Sequence, residues 1–497
     1  MPQIHGGLSK NASVPSVHGG ALWADDVNYR LFLFGGEFYS DNPTTLSVMS
    51  YDIWYDQWDD FGPPPAGIQP VSYGASTSVM ERGEGYYYGG YLSNASVLGW
   101  SGYRRATSDL VRYKMDGNSW TKLAGPDHIK RAEGVMTFIP ASDSGMLVYF
   151  GGAQDRNGTL IPQPMEQIFV YDIISNKWHV QEANGTIPEH RRRFCAGAVW
   201  SKDRSSYNIY LNAGLGFGGY GFDDAYVLSL PSFTWIKIYP LDRNGTGEYP
   251  SHSLSCNIVN EGSQMLTIGG SFPKDNTCDY EQVWGVHNID LGNQIKDNFQ
   301  KVWAEYIPTL VGYKVPEVVT SVIGGTKDGG ATKMTPDAGF ANHDISILLG
   351  MKAAFPTRTR ANDGRTGRAT AAVIESPGSK SGLSRSAIIG IAVGGGVVLL
   401  SLLVGLWLLI RKRKRKPNAK SVAPTEPLIP RPHTPPSFSP YHYTQSPESG
   451  QRMSPRSWVG DGGILNHNQV WRSSPANSRL SEMEGQGLRI AELGVGN

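Results

Sequence analysis

Cysteine is nearly absent from this chain. Three residues in 497, Cys195, Cys256 and Cys278, are too few for a disulfide-stapled scaffold, and none forms a C-x-x-C metal pair. At most one bridge can form; Cys256–Cys278 is the expected pair, since both lie in one short stretch on either side of a Gly-Gly turn. An excess of one charge sign is also missing: 45 Lys and Arg face 44 Asp and Glu, so bulk charge suggests no nucleic-acid partner. Long apolar runs are absent except for one. No G-x-x-x-x-G-K-[ST] and no H-E-x-x-H occurs, and the apparent G-x-G-x-x-G at Gly214–Gly219 runs into a strand-like segment, Asp223–Leu230, where a phosphate cradle needs a helix. No cofactor and no metal is expected. Histidines His190, His252 and His287 show no ligand spacing.

Glycine is abundant, at 60 of 497 residues. Without a period of three it implies many tight turns, hence many short strands, and an aromatic content of 11% supplies bulk for the core between them. A hydrophobic strand ending in two small residues recurs: LFLFGG (Gly35, Gly36), GYYYGG (Gly89, Gly90), LVYFGG (Gly151, Gly152), IYLNAG (Gly214, with Ala213 replacing the first glycine), MLTIGG (Gly269, Gly270) and TSVIGG (Gly324, Gly325). Most units continue with a strand bearing Tyr-Asp or an equivalent, then a Trp: Trp58, Trp120, Trp178, Trp235 and, in the fifth, Trp303. Each unit reads as a four-stranded antiparallel sheet too small to bury its own faces. Stacking such sheets in a ring, with the outer-strand Trp against the neighbouring sheet, is the propeller solution.

Strand–Gly-Gly, Tyr-Asp and spaced Trp resemble the kelch repeat, over roughly residues 18–350. The expected fold is all-β, a kelch-type propeller of six visible blades. A resemblance to the single-pass kelch-repeat membrane proteins of filamentous fungi rests on the segments C-terminal to the repeats. Ser386–Ile410 has 25 residues without a charge, enough to cross a bilayer, and Arg411–Lys416 reads RKRKRK. Seven Lys/Arg in the 20 residues after Ile410 against three in the 20 before Ala387 orient the C-terminus to the cytoplasm. The sequons at Asn11, Asn94, Asn157, Asn184 and Asn244 all precede the span, in agreement. The plasma membrane is the expected location. Gly390-x-x-x-Gly394 and Ser401-x-x-x-Gly405 would allow two spans to pair as a homodimer.

The expected division is therefore a partial outer strand and loop at 1–17, the propeller at 18–349, a stalk at 350–385, the span at 386–410 and a disordered tail at 411–497. The tail is rich in Pro, Ser, Asn and Arg, with Ser/Thr-Pro sites for kinases and P-x-x-P segments for adaptors. Members of the resembled group carry a signal peptide and one more blade. This chain opens MPQIHGGLSK instead, so a truncated start, with a seventh blade in a complete chain, is favoured over the span serving as the secretion signal.

Function is expected to be binding: a glycan or protein ligand on the outer propeller, in surface or wall contact. Glu189-His190-Arg191-Arg192-Arg193 precedes an inner strand, Phe194–Trp200, and loops entering inner strands open near the central channel. His190, Arg191, Arg192 and Arg193 are thus candidates to hold an acidic or polyhydroxylated ligand, the alternative being that the arginines brace neighbouring blades. Tyr91, Trp100 and Tyr103 could stack on sugar rings. Two other readings stay open. One is a kelch-fold enzyme of the copper-radical oxidase or sugar-processing kind, although no Tyr–Cys pattern is recognisable; the other is a scaffold on an internal membrane.

Overall fold

The computed structural model describes residues 14–39, 43–241, 250–273, 285–295 and 303–360. The chain divides into two units, 1–368 and 369–497, and everything described lies in the first. The span at 386–410, the tail, Cys278, Asn11 and Asn244 lie outside the described residues; among the described ones no helix is long and apolar enough to cross a membrane.

Four sheets, each with a core of four antiparallel strands, succeed one another along the chain, and the fourth gains two short added strands. Blade 1 comprises Ala21–Asp25, Arg30–Phe34, Met49–Asp52 and Gln57–Asp60; blade 2 comprises Ala75–Val79, Glu84–Tyr88, Leu110–Lys114 and Ser119–Leu123. Blade 3 comprises Val135–Ile139, Met146–Phe150, Gln167–Asp172 and Lys177–Glu182, and blade 4 Cys195–Trp200, Tyr207–Gly216, Gly221–Leu230 and Thr234–Tyr239. Blade 5 shows three strands among the described residues, Ser255–Val259, Gln264–Ile268 and Val286–Asp290, and Trp303 bridges to Ile289 where a fourth would start. The inner strands of successive blades lie side by side, as propeller blades do.

The repeat residues explain the stacking. Trp120 of blade 2 packs on Phe34 of blade 1 at 4.9 Å, Trp178 of blade 3 on Tyr88 of blade 2 at 5.5 Å, and Trp235 of blade 4 on Phe150 of blade 3 at 5.4 Å. Each Trp therefore joins its own sheet to the preceding one, adding aromatic contact to apolar burial. The aspartate ending the third strand ties the next turn: Asp52 accepts from the amides of Trp54 and Tyr55, and Asp290 from those of Gly292 and Gln294. In blades 1 to 4 the last glycine of the strand end donates its amide to the next inter-blade linker: Gly36 to Val71 O (2.9 Å), Gly90 to Arg131 O (2.9 Å), Gly152 to Arg191 O (3.0 Å) and Gly214 to Ser251 O (2.9 Å).

Two expectations are corrected here. The sixth unit is not a strand: Glu317–Ile323 is a helix, α1, that begins after Pro316 and ends at Gly324, whose φ is 76°. An acidic first turn and a positive-φ glycine at the end are helix start and stop signals, and Val319 and Ile323, four apart, bury one helix face against blade 4. Five blades, not six, stand among the described residues. The expected propeller boundary at 349 is also corrected, because contacts to the blades continue through residue 360. After α2 (His343–Gly350), Lys352 bridges to Ala141, the Ala353 amide donates to Pro140 O, and Arg358 pairs with Asp25 and Asp116. Residues 351–360 belong to the propeller because their polar groups find partners there.

Residues 303–360 form a strap across one face. It passes the turns joining first and second strands in reverse order. Asn260 and Gln264 of blade 5 donate to Ile307 O; Asp203 of blade 4 accepts from Gly330; Ser142 of blade 3 donates to Leu348 O; and Arg358 donates to Met80 O of blade 2. The opposite face, where the glycine pairs lie, is left to the loops.

Candidate functional site on the Gly-Gly face

One position per blade sits just ahead of the inner strand: Gly19, Tyr73, Glu133, Arg193 and Ser253, spaced 54, 60, 60 and 60 residues apart. All five have positive φ, between 53° and 67°. Their backbones form a chain around the channel mouth: the amide of Tyr73 donates to Gly19 O (2.7 Å), Glu133 to Tyr73 O (2.7 Å), Arg193 to Glu133 O (2.9 Å) and Ser253 to Arg193 O (2.7 Å). Four of the five are not glycine, so each carries a side chain in a conformation that disfavours one. Strain repeated at one ring position is the pattern of a site held by its scaffold.

Those side chains form a charged cluster. Glu133 is buried and accepts from Arg192 Nη1 (3.0 Å) and Arg193 Nε (2.7 Å). Burial alone would raise its pKa, but the guanidinium groups of Arg193, Arg192 and Arg104 hold it at about 2. Arg193 also lies 4.8 Å over the Tyr73 ring, and Tyr73 Oη meets His18 Nδ1 at 2.7 Å. His252 is pushed down to about 4, first by burial and then by Arg193 and Arg192. Arg104 arrives from the loop of blade 2 and sits 4.1 Å over Tyr91 and 5.4 Å over Tyr73. Its Nη2 reaches Glu37 at 3.4 Å, while its buried Nε and Nη1, like the buried Tyr91 hydroxyl, have no hydrogen-bond partner among the described residues. Buried donors of this kind are rare in folded proteins.

The predicted site residues separate. Arg192 and Arg193 join the cluster. Arg191 turns away and is fully buried: it bonds Asp224 and Ala213 O and stacks 3.9 Å over Phe222, bracing its own blade. His190 is exposed, in a separate hollow of about 390 Å³. Tyr91 is in the cluster but buried; Trp100 carries Arg105 over its ring at 4.8 Å; Tyr103 is exposed. Sequence reasoning missed Tyr73, Arg104, Glu133, His18 and His252. The signal for Tyr73 and Glu133 was their common place in the repeat. A cleft of about 380 Å³ is lined by the linker ahead of blade 2 (Ile68, Val71), by blade 2 itself (Tyr87, Leu92, Lys122) and by Lys130, and includes no residue of the cluster.

The disulfide differs from expectation. Cys195 bonds Cys256, linking the inner strands of blades 4 and 5 across a sequence separation of 61, so Cys256 is not paired with Cys278. The two cysteines are neighbours because inner strands of adjacent blades are neighbours; closeness in sequence was the wrong guide. Of the sequons, Asn157 is exposed at a hairpin tip, whereas Asn94 and Asn184 are half-buried. Among the described residues no three His, Cys, Asp or Glu group as a metal site.

Comparison with known proteins agrees with this architecture. A family model described as the KLHDC2/KLHL20/DRC7 Kelch-repeats domain matches residues 17–270, more than half of the chain. The chain belongs to this kelch-repeat family. A "Kelch repeat-containing protein" of Arthroderma benhamiae is 29% identical over 472 residues, covering 83% of this chain and 68% of that one. The solved structure of YjhT aligns with 56% of this chain and 96% of its own, at 15% identity and a TM-score of 0.37. The match to the family model ends at Gly270, the last glycine pair that closes a strand in this kelch propeller.

Proposed function

We propose that this kelch propeller is a non-catalytic binding module that takes an acidic or polyhydroxylated ligand, glycan or protein, on its Gly-Gly face. The observation that carries the reading is Arg104. Among the described residues two of its buried nitrogens lack acceptors, beside a Tyr91 hydroxyl in the same condition. A ligand carboxylate or hydroxyl would supply the acceptors, and guanidinium geometry suits a carboxylate. Three arginines (Arg104, Arg192, Arg193) against two glutamates (Glu37, Glu133) leave the mouth with an excess of positive charge. We further propose that Ser386–Ile410 anchors the chain in the plasma membrane with the propeller outside, which the charge bias and the one-sided sequons support.

The test uses the full-length chain in detergent micelles, probed with one array of acidic oligosaccharides, neutral oligosaccharides and acidic peptides. Wild type is expected to bind at least one class, with a loss of tenfold or more for Arg104→Gln. Equal binding by wild type and variant would refute the site. Cys195 and Cys256 are bonded to each other, so neither offers a free thiol for a Tyr–Cys link. Stoichiometric copper in the purified protein would overturn the non-catalytic assignment.

A further inference from the structure

Blade 4 is built differently from its neighbours. Its second and third strands run ten residues each, Tyr207–Gly216 and Gly221–Leu230, whereas the second strands of blades 1, 2 and 3 have five. The extra length carries a hairpin tip, Phe217-Gly218-Gly219-Tyr220, outward on the Gly-Gly face. The strand Arg191–Arg192 pairs with Leu215–Gly216 and so places Pro188, Glu189 and His190 beside this tip. Pro162, at the end of the projecting hairpin of blade 3, completes the hollow of about 390 Å³. That volume is at the small end of ligand sites.

The lining chemistry is specific. Tyr220 is 45% exposed, yet its ring is held edge-on to Phe222 at 5.3 Å and its hydroxyl donates to Glu189 Oε2 at 3.3 Å. The Arg192 guanidinium lies over the Phe217 ring, 5.5 Å from its centre. Two positioned aromatic rings, two prolines, a carboxylate and an imidazole surround one small space. We propose that this hollow binds a single pyranose ring, whose apolar C–H face stacks on Tyr220 while its hydroxyls bond Glu189 and His190. A proline-rich peptide also stacks on aromatics, but it needs an extended groove; this hollow is bounded by six residues, and its carboxylate calls for hydroxyl donors that prolines lack. The inference rests on the binding reading above and narrows it: the ligand is a glycan.

Full-length protein in micelles is titrated with di- to hexasaccharides of glucose, mannose, N-acetylglucosamine and glucuronate, and with a hexaproline peptide. Saccharide binding is expected, weakened tenfold or more by Tyr220→Ala, several-fold by Glu189→Gln, and kept by Tyr220→Trp. Hexaproline binding that Tyr220→Ala abolishes, saccharide binding indifferent to Tyr220→Ala, or no saccharide binding at all would each overturn the proposal. Arg104→Gln separates the two claims: loss of binding there with Tyr220→Ala silent keeps the central site and removes the sugar subsite.

Discussion

At the residue scale, Glu133 decides how the mouth behaves. It is the carboxylate between Arg192 and Arg193, so Glu133→Gln removes the negative charge that balances two buried guanidinium groups; a loss of about 3 kcal/mol is expected in urea denaturation. The pH dependence is set by the folded and unfolded titrations. Glu133 titrates at about 2 when folded and near 4.5 in a free side chain, so its contribution is complete above about 4.5 and is lost as pH falls toward 2. His252 is lowered to about 4 from 6.5, so between those values the unfolded chain binds a proton that the folded one does not. Both effects remove stability on acidification, His252 first. Urea midpoints measured from about pH 7.5 to 4 should fall below 6.5, and His252→Asn should flatten that part of the curve. A curve unchanged by His252→Asn would mean that the imidazole is not held neutral.

At the element scale, the glycine pairs differ in what they tolerate. Gly89 has φ 69°, and a Cβ there would run into the Arg131 carbonyl, backbone that cannot move aside. Gly269 has φ 71°, and no described atom lies within 4 Å of its Cβ position. Gly269→Ala should cost only the left-handed strain, about 1 kcal/mol, while Gly89→Ala should cost at least twice that. Comparable losses would mean that inter-blade approach is not what the first glycine protects. The inner-strand disulfide acts at the same scale: Cys195→Ser is expected to lower stability by about 2–4 kcal/mol, read as a shift in denaturant midpoint against wild type.

At the scale of the whole propeller, the strap is the organising feature. It runs from blade 5 back to Arg358, whose guanidinium reaches Asp25 of blade 1 at 3.0 Å and Asp116 of blade 2 at 2.8 Å. The Asp25 side chain is fully buried. Arg358→Ala should therefore destabilise the propeller by about 3 kcal/mol, and Asp25→Asn in the same chain should recover part of that loss. Strictly additive effects in this double-mutant cycle would show that the strap is not fastened through Asp25. The strap covers the turn face, and both candidate sites lie on the opposite, Gly-Gly face.

What the sequence determined by itself is what repeats at short range. Strand–Gly-Gly, Tyr-Asp and Trp mark local turns and a neighbouring-sheet contact, each set by a few adjacent residues, so five of the six units and the propeller architecture could be read directly. TSVIGG misled because the same glycines can end a strand or cap a helix, and the choice between them was made by Pro316, Glu317 and the burial of Val319 and Ile323 against blade 4. Arg191, Arg192 and Arg193 are alike as letters. Only the ring geometry sends one into its own blade and two to Glu133, sixty positions away. Cys195 found Cys256 for the same reason. Contacts between blades join residues that no local pattern connects, and the side-by-side packing of successive inner strands is what brings them within bonding distance.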